Sequence, residues 1–347
     1  MAVDSRTGDD KQVGFIRRLL NTNLSRVAGI VLVLFAIVFI VVILMRDGTK
    51  LLEQPVHLNI ALLCLSFTIG FWGLLIAVLI WHRILASYGV RQSLRDDLRI
   101  YSYSSLPLVL PGGVWGIVSR SVLYQRLGAK GIPVATASIV ETLVVGLAAA
   151  GLYMASTLVR PDISLWKKPE IGLLFSILAL TLIHPRIFNR LVNWALQRTK
   201  QEKNGLPLAS FNFKALVIWV SVEIIILLIG GMAMFVLLAS LTDVSPSMLI
   251  PVIASWAVAV AVGNLFFWLP GTPVLRDGAM VLVLTPSQTL PVAVAFVLLV
   301  RLWSLASLLL LAGLVWVTLD LPTRLRKNTK ATVSTPKRAG NTPGSGK

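Results

Sequence analysis

The sequence predicts an all-α, polytopic membrane protein of about eight spans, with two Pro/Gly-broken segments in an internal repeat. Three observations carry that expectation. Of 347 residues, 56% are hydrophobic and only 14% charged, whereas a soluble chain carries about 25% charged residues. The mean hydropathy of +0.81 excludes a water-soluble globular domain and a chain that is disordered throughout. The apolar residues gather into runs of helical length, without the alternating strands of about ten residues that a membrane barrel needs. The net charge of +17, from 32 Lys+Arg against 15 Asp+Glu, lies mostly in short loops and a tail. It is read as orientation in the bilayer, and no nucleic-acid partner is expected.

Residues 1–26 form an N-terminal segment in which Phe15, Ile16, Leu19 and Leu20 lie beside Arg17 and Arg18, a spacing that suits a short helix on the membrane surface. The first span is Val27 to Met45, bracketed by Arg26 and Arg46. At 1.5 Å per residue it reaches about 28 Å, and it has no small-residue cleavage site, so it is expected to be retained. Further runs follow at Leu58–Trp81, Val134–Leu158, Ile171–Ile183, Ala215–Ser240, Met248–Leu269 and Pro291–Leu319. Two shorter segments, Ile100–Val118 and Gly271–Thr285, are interrupted by Pro and Gly. Such breaks are tolerated at membrane depth only inside protein or along a cavity.

Segments 82–99 and 184–214 carry four and six Lys or Arg, whereas 46–57 carries two and 241–247 none. That places the N-terminus and both basic segments in the cytoplasm, the membrane being the cell membrane. The tail, residues 320–347, is basic, rich in Thr, Pro, Gly and Ser, and expected to be disordered and cytoplasmic. Seven single crossings would put that tail outside. Eight are therefore expected, one of the broken segments crossing completely.

The transmembrane region, 27–319, contains a repeated pattern. Leu110-Pro111-Gly112 recurs as Leu269-Pro270-Gly271, and the block starting at Pro133 recurs at Pro291, with nearly equal internal spacing. Paired interrupted segments in two halves point to a central transport site, although Pro and Gly also end ordinary helices. Around these breaks lie five ionisable residues at membrane depth: Arg120, Glu141, Arg276, Asp277 and Arg301. A charge there is costly, so Arg120 is expected to pair with Glu141 and Asp277 with Arg301. Glu223 is a sixth, with no obvious local partner. Such pairs can simply fix helix register. Arginine also suits phosphate, because its planar fork donates two hydrogen bonds, and Gly112 and Gly113 would add backbone N–H groups. One Cys and three scattered His assemble no metal or thiol centre, so no cofactor or metal is expected. The histidines are expected at headgroup level. Asp96-Asp97 is the only adjacent acidic pair in a plausible loop, and it is read as a solvated patch.

Pro111-Gly-Gly-Val-Trp-Gly with Arg120, Gly128 and Glu141, followed by Pro270-Gly-Thr-Pro-Val-Leu-Arg276-Asp277-Gly-Ala and Arg301, resembles the lysylphosphatidylglycerol synthase transmembrane region family. The departures are Thr272, Pro273 and Val274 in the second turn, Asp277 for Glu, and Thr142 where family members often carry Arg. The resemblance implies a flippase-like domain, not an enzyme, that moves an anionic or aminoacylated phospholipid or a polyprenyl-linked lipid between leaflets. It places Gly112, Gly113, Arg120, Glu141, Arg276, Asp277 and Arg301 at the substrate. Membrane lipids are the implied partners, with a separate lipid-modifying enzyme or glycosyltransferase supplying them. The aminoacylating members continue into a cytosolic synthase domain, and only the short basic tail follows here. The alternatives are a membrane-embedded enzyme of lipid-linked sugar metabolism and a non-catalytic assembly partner.

Overall fold

The structure, a computed structural model, describes residues 59–106, 114–165, 186, 187, 190, 213–267, 269 and 272–321. The expected first span, the segment 171–183, His57, His184, Gly112, Gly113 and the tail beyond residue 321 lie outside the described residues. Everything regular among the described residues is helical, as long apolar runs in a bilayer require. Eight helices carry the architecture: α1 (Ile60–Ser87), α2 (Leu94–Ser105), α3 (Val114–Gln125), α4 (Gly131–Val159), α5 (Phe213–Ala239), α6 (Leu249–Leu265), α7 (Thr272–Leu284) and α8 (Leu290–Val315). The last of these continues through a π-helical turn, Trp316–Asp320. Starts follow local chemistry. Asn59 caps α1 by accepting from the Leu62 N–H at 3.2 Å. Ser93 caps α2 in the same way through the Asp96 N–H, and Asp96 and Asp97 meet the positive end of that helix.

Five helical stretches are long and apolar enough to cross a membrane: α1, α4, α5, α6 with its preceding turn, and α8 with its π turn. Large apolar side chains such as Trp72, Leu282, Leu302 and Leu309 are exposed on the outside, while Asp97, Arg120 and Glu223 are buried. A surface of that kind is matched to lipid rather than water.

The ends of the bundle are fixed by a few contacts. The Asn59 N–H donates to the Ser240 carbonyl at 2.8 Å, so the start of α1 meets the end of α5. Arg160, just after α4, donates to the Ser247 carbonyl at 3.2 Å, which brings the start of α6 to that same end. At the opposite end, His82 and Asp97 join the last turns of α1 to the base of α2.

Between these ends the described limbs of the two broken segments lie side by side. In the first, Ser119 and Arg120 of α3 bond to Ser104 of α2, and Tyr124 reaches Asp97. The limbs are therefore antiparallel, with their base at the His82 end. In the second, Gly263 of α6 lies against the Arg276 side chain of α7, and Ala254, Ala257 and Val258 pack with Val283. Its base lies at the Asn59 end. Its tip is set by Gly146, next to the middle of α4, where an added Cβ would sit 2.9 Å from Leu265. So α6, though long enough to cross, stops at about the midplane of α4. Thr272 closes this turn by donating to the carbonyls of Phe266 and Leu269, at 2.5 and 2.8 Å. Among the described residues neither hairpin shows the full crossing by a broken segment that an eight-span count requires; of their four limbs only α6 is long and apolar enough to cross.

Trp303 fixes α8 against α1. Its ring occupies the space that a Cβ on Gly70 would fill, and its N–H donates to Ser66 at 3.1 Å. The exposed positions Arg91 and Lys130 flank the first hairpin, and Asp243 and Thr289 flank the second. In a Cys64→Ser background, single cysteines at Arg91 and Lys130 should react with a membrane-impermeant maleimide from one side of sealed vesicles. Cysteines at Asp243 and Thr289 should react from the other side. A hairpin that crosses fully would split its pair.

Candidate functional site

Arg120 projects from α3 into the enclosed part of the first hairpin. Its guanidinium forms an ion pair with Glu141 of α4, the side chains being 8% and 12% exposed. Its Nε–H donates to Ser104 Oγ at 3.2 Å. The rings of Trp81 and Tyr101 lie 4.2 and 4.6 Å from the guanidinium carbon. A desolvated contact of this kind is worth about 2 kcal/mol or more. Four helices, α1 to α4, thus meet around one cation. The expected Arg120–Glu141 pair is formed.

Glu223 belongs to the same neighbourhood. It lies on α5 at 4% exposure, within Coulombic range of Glu141 and Tyr101. It has no hydrogen-bond or ion-pair partner among the described residues. Spacing along the chain gave no hint of this approach, because it arises from packing of α5 against α4.

Next to Trp81 runs a chain of polar groups in which Asp97 departs from the sequence expectation. Asp97 is fully buried rather than in a solvated patch. It accepts from the Tyr124 hydroxyl at 2.6 Å and contacts His82 Nδ1. The Trp81 N–H in turn donates to the Tyr124 oxygen at 2.8 Å. Of the acidic pair, only Asp96 stays near solvent, beside Ser93 and Arg99. The cause is helical direction: successive residues point about 100° apart, so adjacent carboxylates face different surroundings. The one sequence signal was the Trp-His pair at the end of an apolar run.

The second hairpin builds a different cluster. Arg301 of α8 pairs with the Asp277 carboxylate and donates to the Pro273 carbonyl at 3.3 Å. Arg276 Nε lies 3.3 Å from the other oxygen of Asp277. Two guanidiniums share one carboxylate, and among the described residues no other carboxylate reaches either. Both arginines are about a third exposed, at 32% and 31%. The expected Asp277–Arg301 pair is therefore formed, with an additional cation attached. Of the seven residues singled out, Arg120 and Glu141 form one group and Arg276, Asp277 and Arg301 another. Gly112 and Gly113 lie outside the described residues.

The difference in enclosure has a measurable consequence. Glu141→Ala leaves a buried guanidinium without its counter-charge, and should cost about 3–5 kcal/mol in thermal or denaturant unfolding in detergent. Arg276→Ala removes a half-open, loosely held partner and should cost less than about 1 kcal/mol. Comparison with family models, with curated proteins and with solved structures gave no match for this chain.

Proposed function

We propose that this chain moves a phosphate-bearing lipid between the leaflets of the cell membrane, as a flippase-like protein without enzymatic chemistry of its own. The observation that carries the reading is the charge balance of the second cluster. Among the described residues Arg276 and Arg301 share only Asp277, which leaves one positive charge, partly open, on a protein whose outer surface is apolar. A phosphodiester supplies the missing negative charge and can accept two hydrogen bonds from a guanidinium fork, while its acyl chains stay in the bilayer. Arg120 is the second station, closed by Glu141 until an anion competes for it.

The opposed hairpins support alternating access. Broken segments that approach the midplane from opposite ends are the hallmark of inverted repeats, which place a binding site where the halves meet. The repeated Leu-Pro-Gly and Pro-Val-Ala blocks match that arrangement, as does the resemblance to the lysylphosphatidylglycerol synthase transmembrane region family. With the apolar runs at 27–45 and 171–183 taken as one crossing each, the chain makes six crossings and two re-entrant hairpins. Both termini then lie in the cytoplasm with the basic loops, in accord with the distribution of Lys and Arg. On this reading the His82 end is cytoplasmic. Anionic or aminoacylated phospholipids and polyprenyl-linked lipids all carry the required phosphate, and a separate lipid-modifying enzyme or glycosyltransferase would supply them.

Purified protein in liposomes, offered fluorescent lipids of these classes, should accelerate the translocation of at least one. Arg276→Ala should lower that rate by about tenfold or more, as expected when a charge-assisted contact worth about 1.5–3 kcal/mol is lost, with the variant still folded. Uniform rates across the panel, unchanged by Arg276→Ala, would favour a non-catalytic assembly partner.

A further inference from the structure

We propose that the Arg120 site takes up its anion together with a proton, so that headgroup phosphate and one H⁺ load as a unit. This rests on the reading of Arg120 as an anion-binding group. The inference comes from the inventory of charges around Arg120. The Arg120 guanidinium is paired with Glu141, and a second buried carboxyl group, Glu223, lies near Glu141. Glu141 holds the guanidinium, and Glu223 has no hydrogen-bond or ion-pair partner among the described residues.

Among the described residues, the helices packed on α5 supply nothing else to neutralise Glu223. From α4 comes only Glu141, a like charge. Along α6, residues 249–265, no side chain titrates. On α1 the titratable side chains are Cys64, His82 and Arg83, and His82 is turned to Asp97. From the first hairpin, Tyr101 lies near Glu223 and Arg120, and Tyr124 is bonded to Asp97. A buried carboxylate with no counter-charge is unfavourable enough to be held as the neutral acid. Among the described residues the cluster is therefore balanced: one cation, one carboxylate, one carboxylic acid.

A phosphate monoanion that engages Arg120 displaces Glu141 from it. Glu141 is then in the position Glu223 already occupies, buried beside another carboxyl and without a cation. Neutrality is restored only if the pair takes one further proton from water. No covalent bond is made or broken other than the new O–H. The loaded cluster holds the cation, the phosphate monoanion and two carboxylic acids, again balanced. A proton gradient would then bias the direction in which the site is loaded and emptied.

Isothermal titration of the full chain in detergent with dihexanoyl-phosphatidylglycerol, in buffers of different ionisation enthalpy, counts the protons. About one proton should be absorbed per lipid bound, and the Kd should tighten about tenfold for each unit fall in pH. The Glu141→Gln/Glu223→Gln double variant mimics the doubly protonated pair. It should still bind lipid, with no proton uptake and a Kd flat with pH. Binding by the native chain without proton uptake overturns the inference and leaves the anion site standing. Proton uptake that persists unchanged in the double variant also overturns it. If the double variant does not fold, the native pH series decides alone: a flat Kd refutes the linkage. Failure of the native chain to bind any phosphodiester overturns the anion site itself. Dimethyl phosphate, a soluble phosphodiester, forms the parallel arm. Equal affinity and equal proton uptake for it support the linkage and assign the ligand to a soluble anion rather than a headgroup.

Discussion

Arg120 stands where four helices meet, and its positive charge dictates what each of them must supply at that depth. A guanidinium away from water needs a counter-ion, acceptors for its N–H groups and polarisable surfaces for its faces. Here α4 gives Glu141, α2 gives Ser104 and the Tyr101 ring, and α1 gives the Trp81 ring. The same Trp81 donates to Tyr124, which is itself bound to the buried Asp97. The register of the first hairpin on the long helices is thus set by polar contacts. Apolar packing alone would specify it weakly, since lipid and helix surfaces are equally apolar and only shape and hydrogen bonds discriminate.

The two hairpins show what a chain break costs at membrane depth and how that cost is met. A helix break inside an apolar bundle leaves helix-end carbonyls and N–H groups unsatisfied where no water is at hand. At the second turn Thr272 meets part of this demand, its hydroxyl donating to the carbonyls of Phe266 and Leu269. A glycine at that position has no side chain to do so. Thr272 therefore stitches this turn through its own side chain.

Helical class, the positions of the breaks and both ion pairs were legible in the sequence, because each follows from local spacing or from the expense of a lone charge in an apolar run. The direction of α6 was not. Met248–Leu269 is as long and as apolar as a true span, and hydropathy contains no information about where a helix stops relative to its neighbours. Only the contact of Leu265 with Gly146, half-way along α4, reveals it. Burial of Asp97 was hidden for a related reason, since its partners Tyr124 and His82 come from other helices. The approach of Glu223 to Glu141 is likewise a product of packing between α5 and α4, separated by a long stretch of chain.

The far end of α8 ties together parts that rigid-body motion would otherwise separate. Asp320 accepts from the Tyr103 hydroxyl at 2.5 Å, and Arg99 lies 2.6 Å from the same carboxylate in an ion pair without hydrogen-bond alignment. Both partners sit on α2, the limb that carries Ser104 and Tyr101 to Arg120, while α8 itself carries Arg301. The helix is thus a strut with one cationic cluster along its length and the other anchored at its tip. Any tilt that opens one cluster must drag the limb of the other or snap the anchor. Through these contacts α8 couples the two clusters mechanically, so that displacing it moves Arg301 and α2 together.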